Sequence, residues 1–211
     1  MTNRYLIGNA QTIGNREIQS NYFATAYNGV SDLLAVLADG TIDHPNGRNA
    51  AVIAVECCVE AFTQEFSVAR YNNSDEFLLE TALKANKRIK EAIYLGTNPR
   101  LSLTMILLKG KELQYFNVGA NKIFLYNGRN ELILGNYAND SYSAGKYDLA
   151  AKNVIGILST GAYIDAQPME RIRIIESKRK IHDKAQDIID SVTKKGLSIQ
   201  LNATALLIGL P

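Results

Sequence analysis

The sequence has few cysteines, no long apolar run and no large excess of either charge. Its only cysteines are the adjacent pair Cys57 and Cys58, and neighbouring cysteines in a helical pattern cannot form an ordinary structural disulfide. We therefore expect a reducing, cytoplasmic setting. No stretch approaches the ~18 uninterrupted apolar residues of a membrane-spanning helix, and the N-terminus lacks an apolar signal segment. A soluble protein with no membrane partner is expected.

The charged residues are nearly balanced and dispersed. The chain of 211 residues has 23 lysines and arginines against 21 aspartates and glutamates, a formal net charge of +2, and no long basic block occurs. Nucleic acid is therefore not an expected partner. With 46% hydrophobic residues, a chain of this length can bury one core and is short for two. Residues 1–211 are thus interpreted as a single domain.

Apolar or alternating runs predict most of the strands. These runs lie at 4–9, 21–40, 102–108, 112–118, 122–126, 131–134, 153–160 and 201–211. A turn at Asn28–Gly29 divides the second run into an antiparallel pair, and the short spacing of the four middle runs predicts an antiparallel meander. Residues 135–152 are polar and are predicted to be irregular.

Three segments have helical patterning. From Arg48, apolar residues recur at spacings of three and four, which indicates an amphipathic helix. A second helix is predicted to start at Asn73 or Ser74, where a capping side chain precedes acidic residues. Helical patterning returns at 168–196. Strand-rich blocks followed by helices favour an α+β fold in which helices cover the faces of the sheets.

Five local sequences follow one another in an informative order. In the first, Arg16 precedes Ser20 and Asn21 by four and five positions. In the second, a strand ends in Asp39–Gly40 and leads through a glycine-containing turn into a helix. The other three stand at strand ends: Gly-Ala-Asn-Lys at 119–122, Ser-Thr-Gly at 159–161 and Leu-Asn-Ala-Thr at 201–204.

In this order the five landmarks resemble the type-2C metal-dependent serine/threonine protein phosphatase family (PPM-type) over nearly the entire chain. The resemblance implies a sandwich of two antiparallel β-sheets flanked by α-helices, with a metal site at one end. It also implies phosphomonoester hydrolysis by two divalent cations, usually manganese or magnesium, about 3.5–4 Å apart. Such ions prefer oxygen ligands, and carboxylates offset their charge.

Most of the carboxylates implied by the resemblance are replaced in this chain. Asp39 remains, and so does Gly40, whose backbone carbonyl is a metal ligand in the family. Four ligand positions are degenerate because none carries a carboxylate: Ser20, Asn21, Thr160 and Leu201. One carboxylate cannot neutralise two divalent ions, so we expect no tightly bound metal, with weak binding of Mn or Mg as the alternative.

Arg16 and Asp39 each have two interpretations. Arg16 matches the family arginine that grips the substrate phosphate, since paired guanidinium N–H groups bind two oxygens of a tetrahedral anion. Its alternative is a surface arginine that pairs with Glu17 or another carboxylate. Asp39 is either a vestigial metal ligand or a residue that caps backbone N–H groups at the turn.

Several other residues are also candidates for a site. Asp43 and His44 share the turn after Asp39, so a rearranged metal site is an alternative to an ordinary solvated turn. His182 is predicted on a solvated helix face, and the two cysteines are predicted to pack in a core. The polar connection around Tyr137, Asn139, Asp140 and Tyr142 either contacts a partner or is a solvated loop.

Three functions follow from these observations. The leading hypothesis is a pseudophosphatase, a catalytically impaired domain that binds a protein partner, possibly a phosphorylated one, in serine/threonine phosphorylation signalling. The enzyme alternative is a weak or rearranged Mn- or Mg-dependent phosphatase that uses Asp39 with Asp43, Asn21 or Asn202. The third is an assembly subunit, which would expose a large apolar patch.

Overall fold

Ten strands form two five-stranded antiparallel sheets in the computed structural model, which describes residues 5–29, 32–40, 46–66, 74–93, 100–135 and 142–210. The strands are β1 (Leu6–Thr12), β2 (Asn21–Asn28), β3 (Asp32–Gly40), β4 (Leu101–Lys109), β5 (Glu112–Val118), β6 (Lys122–Tyr126), β7 (Glu131–Leu134), β8 (Ser143–Asp148), β9 (Val154–Leu158) and β10 (Ala203–Gly209). The first sheet has the order β1-β10-β9-β6-β7, and the second has the order β2-β3-β4-β5-β8.

Helices cover the outer face of each sheet. They are α1 (Gly47–Glu60), α2 (Ser74–Ala92), α3 (Thr160–Asp165), α4 (Pro168–Glu176) and α5 (Ile181–Thr193), and α1 continues into a π-helical turn at Ala61–Glu65. The first two helices pack on the second sheet, and the last three pack on the first sheet. This four-layer arrangement confirms the α+β sandwich predicted from the sequence.

Strand β3 shows why one sheet can have a core on each of its two faces. In β3, Leu34, Val36 and Ala38 join the core beneath α1 and α2, whereas Leu33, Ala35 and Leu37 join the core between the sheets. Side chains of a strand alternate between its two faces, so a strand with apolar residues at every position is buried on both sides.

Two short elements and one connection differ from the sequence-based expectations. Residues 135–152, predicted to be irregular, contain β8, an edge strand whose Ser-Ala-Gly-Lys-Tyr-Asp sequence has no apolar alternation and pairs with β5 through its backbone. Helix α3 has six residues, too few to show a helical period. The predicted meander is split between the sheets, because the chain crosses from β5 to β6 at Gly119, whose φ is +89°.

The helices of the described ranges are short or interrupted by charge. None of them is long and apolar enough to cross a membrane.

A buried ion pair fixes α3 and α4 against the edge of the first sheet. Arg171 of α4 has no exposed surface. Its Nε donates to Glu131 Oε2 at 2.8 Å, and a second bond from its guanidinium to Glu131 makes the contact bidentate. The guanidinium also donates to the carbonyls of Tyr163 and Ala166 and lies 4.9 Å from the Tyr163 ring centroid. This pair therefore holds the C-terminal end of α3 in place.

Arg171→Met should lower the free energy of unfolding by about 3–5 kcal/mol, because it leaves the Glu131 carboxylate buried without its counter-charge. The double change Arg171→Met with Glu131→Leu should recover most of that loss, since an apolar pair has no charge to desolvate. Denaturant unfolding measures both. Arg129→Ala, on an exposed turn, is the matched control. An equal loss in the single and double variants would contradict this explanation.

Candidate functional site

Strands of both sheets end together at one edge of the sandwich. In the second sheet, Asp39 near the end of β3 lies opposite Asn21 at the start of β2. In the first sheet, β9 ends at Leu158, opposite the start of β6 at Lys122. The connection from β7 to β8 also begins and ends at this edge, since Leu134 pairs with Ile123 and Ser143 pairs with Asn117. The predicted site is thus assembled from both sheets.

The Asp39 carboxyl lies at this edge on the side of the first sheet, near Thr160, the first residue of α3. Burial raises the pKa of Asp39 from 3.8 to about 6, and the backbone N–H and hydroxyl of Thr160 only partly oppose that rise. Asp39 and Thr160 therefore lie at the same end of the sandwich.

Ser20 and Asn21, at two of the degenerate positions, are buried and tied to the last strand. The Ser20 N–H donates to Asn202 Oδ1 at 2.7 Å, and Asn21 Nδ2 donates to Thr204 Oγ1 at 3.0 Å. Asn202 also donates from Nδ2 to the Ile13 carbonyl at 2.8 Å. Asn21 Oδ1 is buried and makes no hydrogen bond within the described ranges. Both the oxygen and the nitrogen of the Asn202 amide are therefore hydrogen-bonded, whereas the oxygen of the Asn21 amide can still accept a hydrogen bond.

Two glycines at this edge are required because backbones approach closely. A Cβ on Gly40 would lie 2.1 Å from the Gly47 carbonyl oxygen, and one on Gly161 would lie 2.4 Å from the Asn202 carbonyl oxygen. The same added Cβ on Gly161 would be 3.0 Å from the Leu201 Cβ. Leu201 therefore packs beside the first turn of α3 and supplies only hydrocarbon at a position where the resemblance implies a ligand.

Sequence reasoning missed the polar residues that complete this edge. Asn121 donates from Nδ2 to a β3 carbonyl at 3.4 Å, the Thr104 hydroxyl donates to Asn117, and Ser159 Oγ accepts from the Thr204 N–H at 2.9 Å. We call the neutral, buried side chains of this edge the polar layer: Ser20, Asn21, Thr104, Asn117, Asn121, Ser159, Asn202 and Thr204. Six of them lie in the landmark segments, whereas the only sequence signal of Thr104 and Asn117 is a neutral polar residue within an otherwise apolar strand.

Arg16 lies on the loop between β1 and β2, which is fastened to the entry of β10. The Asn15 N–H donates to the Gln200 carbonyl at 3.2 Å, and the Gln200 N–H donates to Asn15 Oδ1 at 2.9 Å. Arg16 Nε is buried without a hydrogen-bond partner among the described residues. Neither Glu17 nor another described carboxylate forms an ion pair with Arg16. The loop thus holds an uncommitted guanidinium at the same end of the sandwich as Asp39.

A second arginine near this edge, Arg48, was not singled out from the sequence. Its guanidinium donates to the Asn21 carbonyl and lies 4.7 Å from the Tyr22 ring centroid. These contacts connect the first turn of α1 to the start of β2. Arg48 therefore serves the packing of this edge, and no short-range pattern could reveal a contact between residues 27 positions apart.

The remaining histidine and cysteine candidates lie away from this edge of the sandwich. His182 is exposed on α5, and Cys57 and Cys58 are buried and unpaired in α1. Burial raises the pKa of both thiols, which disfavours the thiolate and fits the predicted packing role.

The loop candidates are mostly outside the part of the chain that the structure describes. Asp43 and His44 fall there, as do Tyr137, Asn139 and Asp140. Tyr142 is described: its side chain is exposed and stacks on Phe116 with ring centroids 5.1 Å apart. Within the described ranges, no three histidine, cysteine, aspartate or glutamate residues are grouped as ligands of a metal ion.

The fold closely matches solved bacterial phosphatases. A serine/threonine phosphatase of S. agalactiae superposes with a TM-score of 0.85 at 15% identity, covering 98% of this chain and 100% of that chain. The serine/threonine phosphatase Stp1 of Staphylococcus aureus gives 0.84 at 16% identity, with coverage of 97% and 94%. The catalytic domain of the serine/threonine protein phosphatase PstP, in complex with two manganese ions, gives 0.79 at 12% identity, with coverage of 98% and 99%.

Sequence comparison adds nothing to this likeness, because no family model and no curated protein matches the chain. The type-2C-phosphatase-like sandwich predicted from the sequence is nevertheless confirmed, over nearly the full length of both partners in each superposition. At these identities the likeness establishes the fold, and activity has to be argued from the residues of the site.

Asp39→Asn should make the protein less sensitive to pH. An acid whose pKa is raised by folding stabilises the folded state below its unfolded pKa, here 3.8, and that stabilisation is lost as pH rises through about 6. Because one pKa unit corresponds to about 1.4 kcal/mol, the variant should gain up to about 3 kcal/mol relative to the parent between acid and neutral pH. Denaturant unfolding across this range measures it, with Asp148→Asn as the control for an exposed carboxylate. Parallel curves for parent and variant would contradict the burial of this carboxyl.

Proposed function

We propose that this chain is a pseudophosphatase: a catalytically impaired type-2C-phosphatase-like domain that binds a protein partner in serine/threonine phosphorylation signalling. The observation that carries the proposal is the setting of Asp39: the buried side chains around it at this edge, the polar layer, are all neutral. One carboxyl, whose pKa is raised by burial, cannot offset the charge of two divalent ions. The buried, unpaired cysteines further support a reducing, cytoplasmic location.

The polar layer does not fit a pair of divalent cations. Two such ions carry four positive charges, and none of the side chains of the polar layer is an aspartate or glutamate. Hydroxyl and amide groups supply ligand atoms without the charge that manganese and magnesium require from their shell. The side chain of Leu201 has no ligand atom, and both ends of the Asn202 amide are already bonded. Hydrolysis through a bridged pair of ions is therefore outside the chemistry that these residues support.

One observation favours the enzyme alternative with a single metal ion instead of two. Asn21 Oδ1 is buried with no partner among the described residues, and Asn21 lies directly opposite Asp39 on the neighbouring strand. An amide oxygen and a carboxylate on adjacent strands are a minimal set of oxygen ligands for a single magnesium or manganese ion. A weak, single-cation phosphatase is thus the second candidate function.

Arg16 supports the binding of a phosphorylated partner. Its Nε is buried and unpartnered within the described ranges, and its loop is anchored to residues 200–202 by hydrogen bonds. A guanidinium held on a fixed loop loses little freedom when it binds an anion, and its parallel N–H groups match two phosphate oxygens. The β7–β8 connection, which starts and ends at the same edge, would flank the bound segment. We therefore propose a phosphorylated protein segment as the ligand.

Manganese should leave the unmodified protein almost unaffected. A bound ligand stabilises the folded state in proportion to the logarithm of its concentration over its dissociation constant. We expect no shift in melting temperature at micromolar manganese and no hydrolysis of a small aryl phosphate. A variant that carries Ser20→Glu, Asn21→Asp, Thr160→Asp and Leu201→Asp should bind manganese more tightly, as measured by calorimetry. Clear stabilisation of the unmodified protein by micromolar manganese would refute the pseudophosphatase and favour the single-cation enzyme.

Arg16→Ala should weaken partner binding at least about tenfold, because hydrogen bonds between a charged donor and phosphate contribute roughly 1.5–3 kcal/mol each. Pull-downs from native lysate with the parent, Arg16→Ala and Arg129→Ala measure this. Arg129→Ala is the matched control, since this substitution removes the same charge from the turn between β6 and β7, at the opposite end of the sandwich. Partners should also be lost when the lysate is first dephosphorylated. Recovery of the same partners by all three proteins would exclude Arg16 from the binding surface.

A further inference from the structure

The second sheet ends in a strand that has a neighbour on one side only. Strand β2 pairs with β3 along its whole length, from Asn21 opposite Asp39 to Asn28 opposite Asp32, and it is the terminal strand of the described sheet. Thr25, at the centre of β2, is exposed. An edge strand presents backbone N–H and C=O groups that can pair with another chain.

The hydrogen bonds at the start of β2 show which of its residues direct these groups outward. The Gly40 N–H donates to the Ser20 carbonyl, so Ser20 bonds toward β3. The Asn21 N–H instead donates to Gln19 Oε1, and the Asn21 carbonyl accepts from Arg48. Residues of an antiparallel strand alternate between bonding to one side and to the other. The odd-numbered residues of β2 therefore direct their backbone groups outward.

The interior of β2 lacks the devices that protect edge strands. Two other described edges carry them: β7 has four residues and begins with Glu131, and β8 includes Lys146 and Asp148. The fourth edge, β1, contains glycine and asparagine, which are depleted in strands. Residues 22–27 of β2 read Tyr-Phe-Ala-Thr-Ala-Tyr, with no charge, proline or glycine. Aromatic and β-branched residues favour strands, and an edge without charge or proline is open to pairing.

We propose that β2 pairs antiparallel with β2 of a second copy of this chain, which joins two second sheets into one ten-stranded sheet. A two-fold axis perpendicular to the sheet relates the copies, so the helix-covered face of one copy continues as the helix-covered face of the other. Two residues that lie opposite each other then have side chains on the same face. Because side chains alternate between faces along a strand, the two residue numbers must both be odd or both be even. The same condition lets odd-numbered residues, which direct their backbone groups outward, bond to each other.

A register centred on Thr25 meets these conditions and pairs residues 22–28 of β2, whereas one centred on Ala26 pairs only residues 24–28. Centred on Thr25, it places Thr25 opposite Thr25 of the second copy and Phe23 opposite Tyr27. Cross-strand threonine pairs and aromatic pairs stabilise antiparallel sheets. A register centred on Ala24 would instead engage Asn21, whose carbonyl is already bonded to Arg48. A second copy is thus the occupant that this strand matches best, because the strand is its own complement.

Thr25→Pro tests the pairing while sparing the monomer. Proline is tolerated at edge positions whose N–H points to solvent, and it removes two backbone bonds of the dimer, one from each copy. We expect the dissociation constant to rise at least about tenfold, with the thermal melting of the monomer retained. Ala144→Pro is the matched control. It lies on edge strand β8, where Leu149 bonds toward β5, so the even-numbered residues point outward.

A charge pair tests the register and the identity of the occupant. Thr25→Lys or Thr25→Glu alone places like charges opposite each other, which opposes pairing, and a mixture of the two variants restores opposite charges. Light scattering after gel filtration should show a concentration-dependent dimer for the parent and Ala144→Pro, monomers for each Thr25 variant alone, and a dimer for the mixture. Should Thr25→Pro fail to fold, the charge variants decide the matter.

Three outcomes would overturn the proposal. The first is a parent that stays monomeric at about 100 μM, since edge pairing that matters in solution should be visible well below that concentration. The second is a Thr25→Pro variant that is folded and still dimeric. The third is a mixture of the lysine and glutamate variants that stays monomeric, because only a second copy in this register places position 25 opposite itself.

Discussion

Hydrogen bonds between polar side chains and distant strands fasten the second sheet to the first at the edge where their strands end. Asn21 of β2 donates to Thr204 of β10, and Asn121, which precedes β6, donates to a carbonyl of β3. Two sheets packed through apolar side chains can slide, because the hydrophobic effect has no direction. These directed bonds set their relative position at this edge.

The polar layer extends the same role across the edge without adding charge. Asn21 reaches Thr204, Ser20 reaches Asn202, and Ser159 reaches Thr204, so each contact joins segments that are distant in sequence. A binuclear metal site would link such segments through ions and would need a carboxylate at most of these positions. In this structure, neutral side chains make these connections between the sheets. Closure of the sandwich at this edge therefore does not require a carboxylate at each of these positions.

The sequence predicted the elements whose side chains have a regular pattern, and it failed where structure depends on distant partners. Strands β5 to β7 were predicted with their observed bounds because their apolar runs are separated by short turns. Strand β8 has no such pattern and exists because β5 offers a free edge. The order of landmarks placed Ser20, Asn21, Thr160 and Leu201 beside strand ends, yet Thr204, the partner of the Asn21 side chain, lies 183 residues away, and no local spacing encodes that distance.

The two proposed surfaces occupy different parts of the molecule and do not compete. Pairing through β2 is centred on Thr25, whereas the polar layer and the loop of Arg16 lie beyond Asn21 at one end of that strand. In the antiparallel dimer the two copies of Asn21 would be about 27 Å apart along the strand, eight residues at ~3.4 Å each, and would lie toward opposite ends of the joined sheet. Each copy would thus keep its own site open, and a partner with two phosphorylated segments would have to span that distance to engage both.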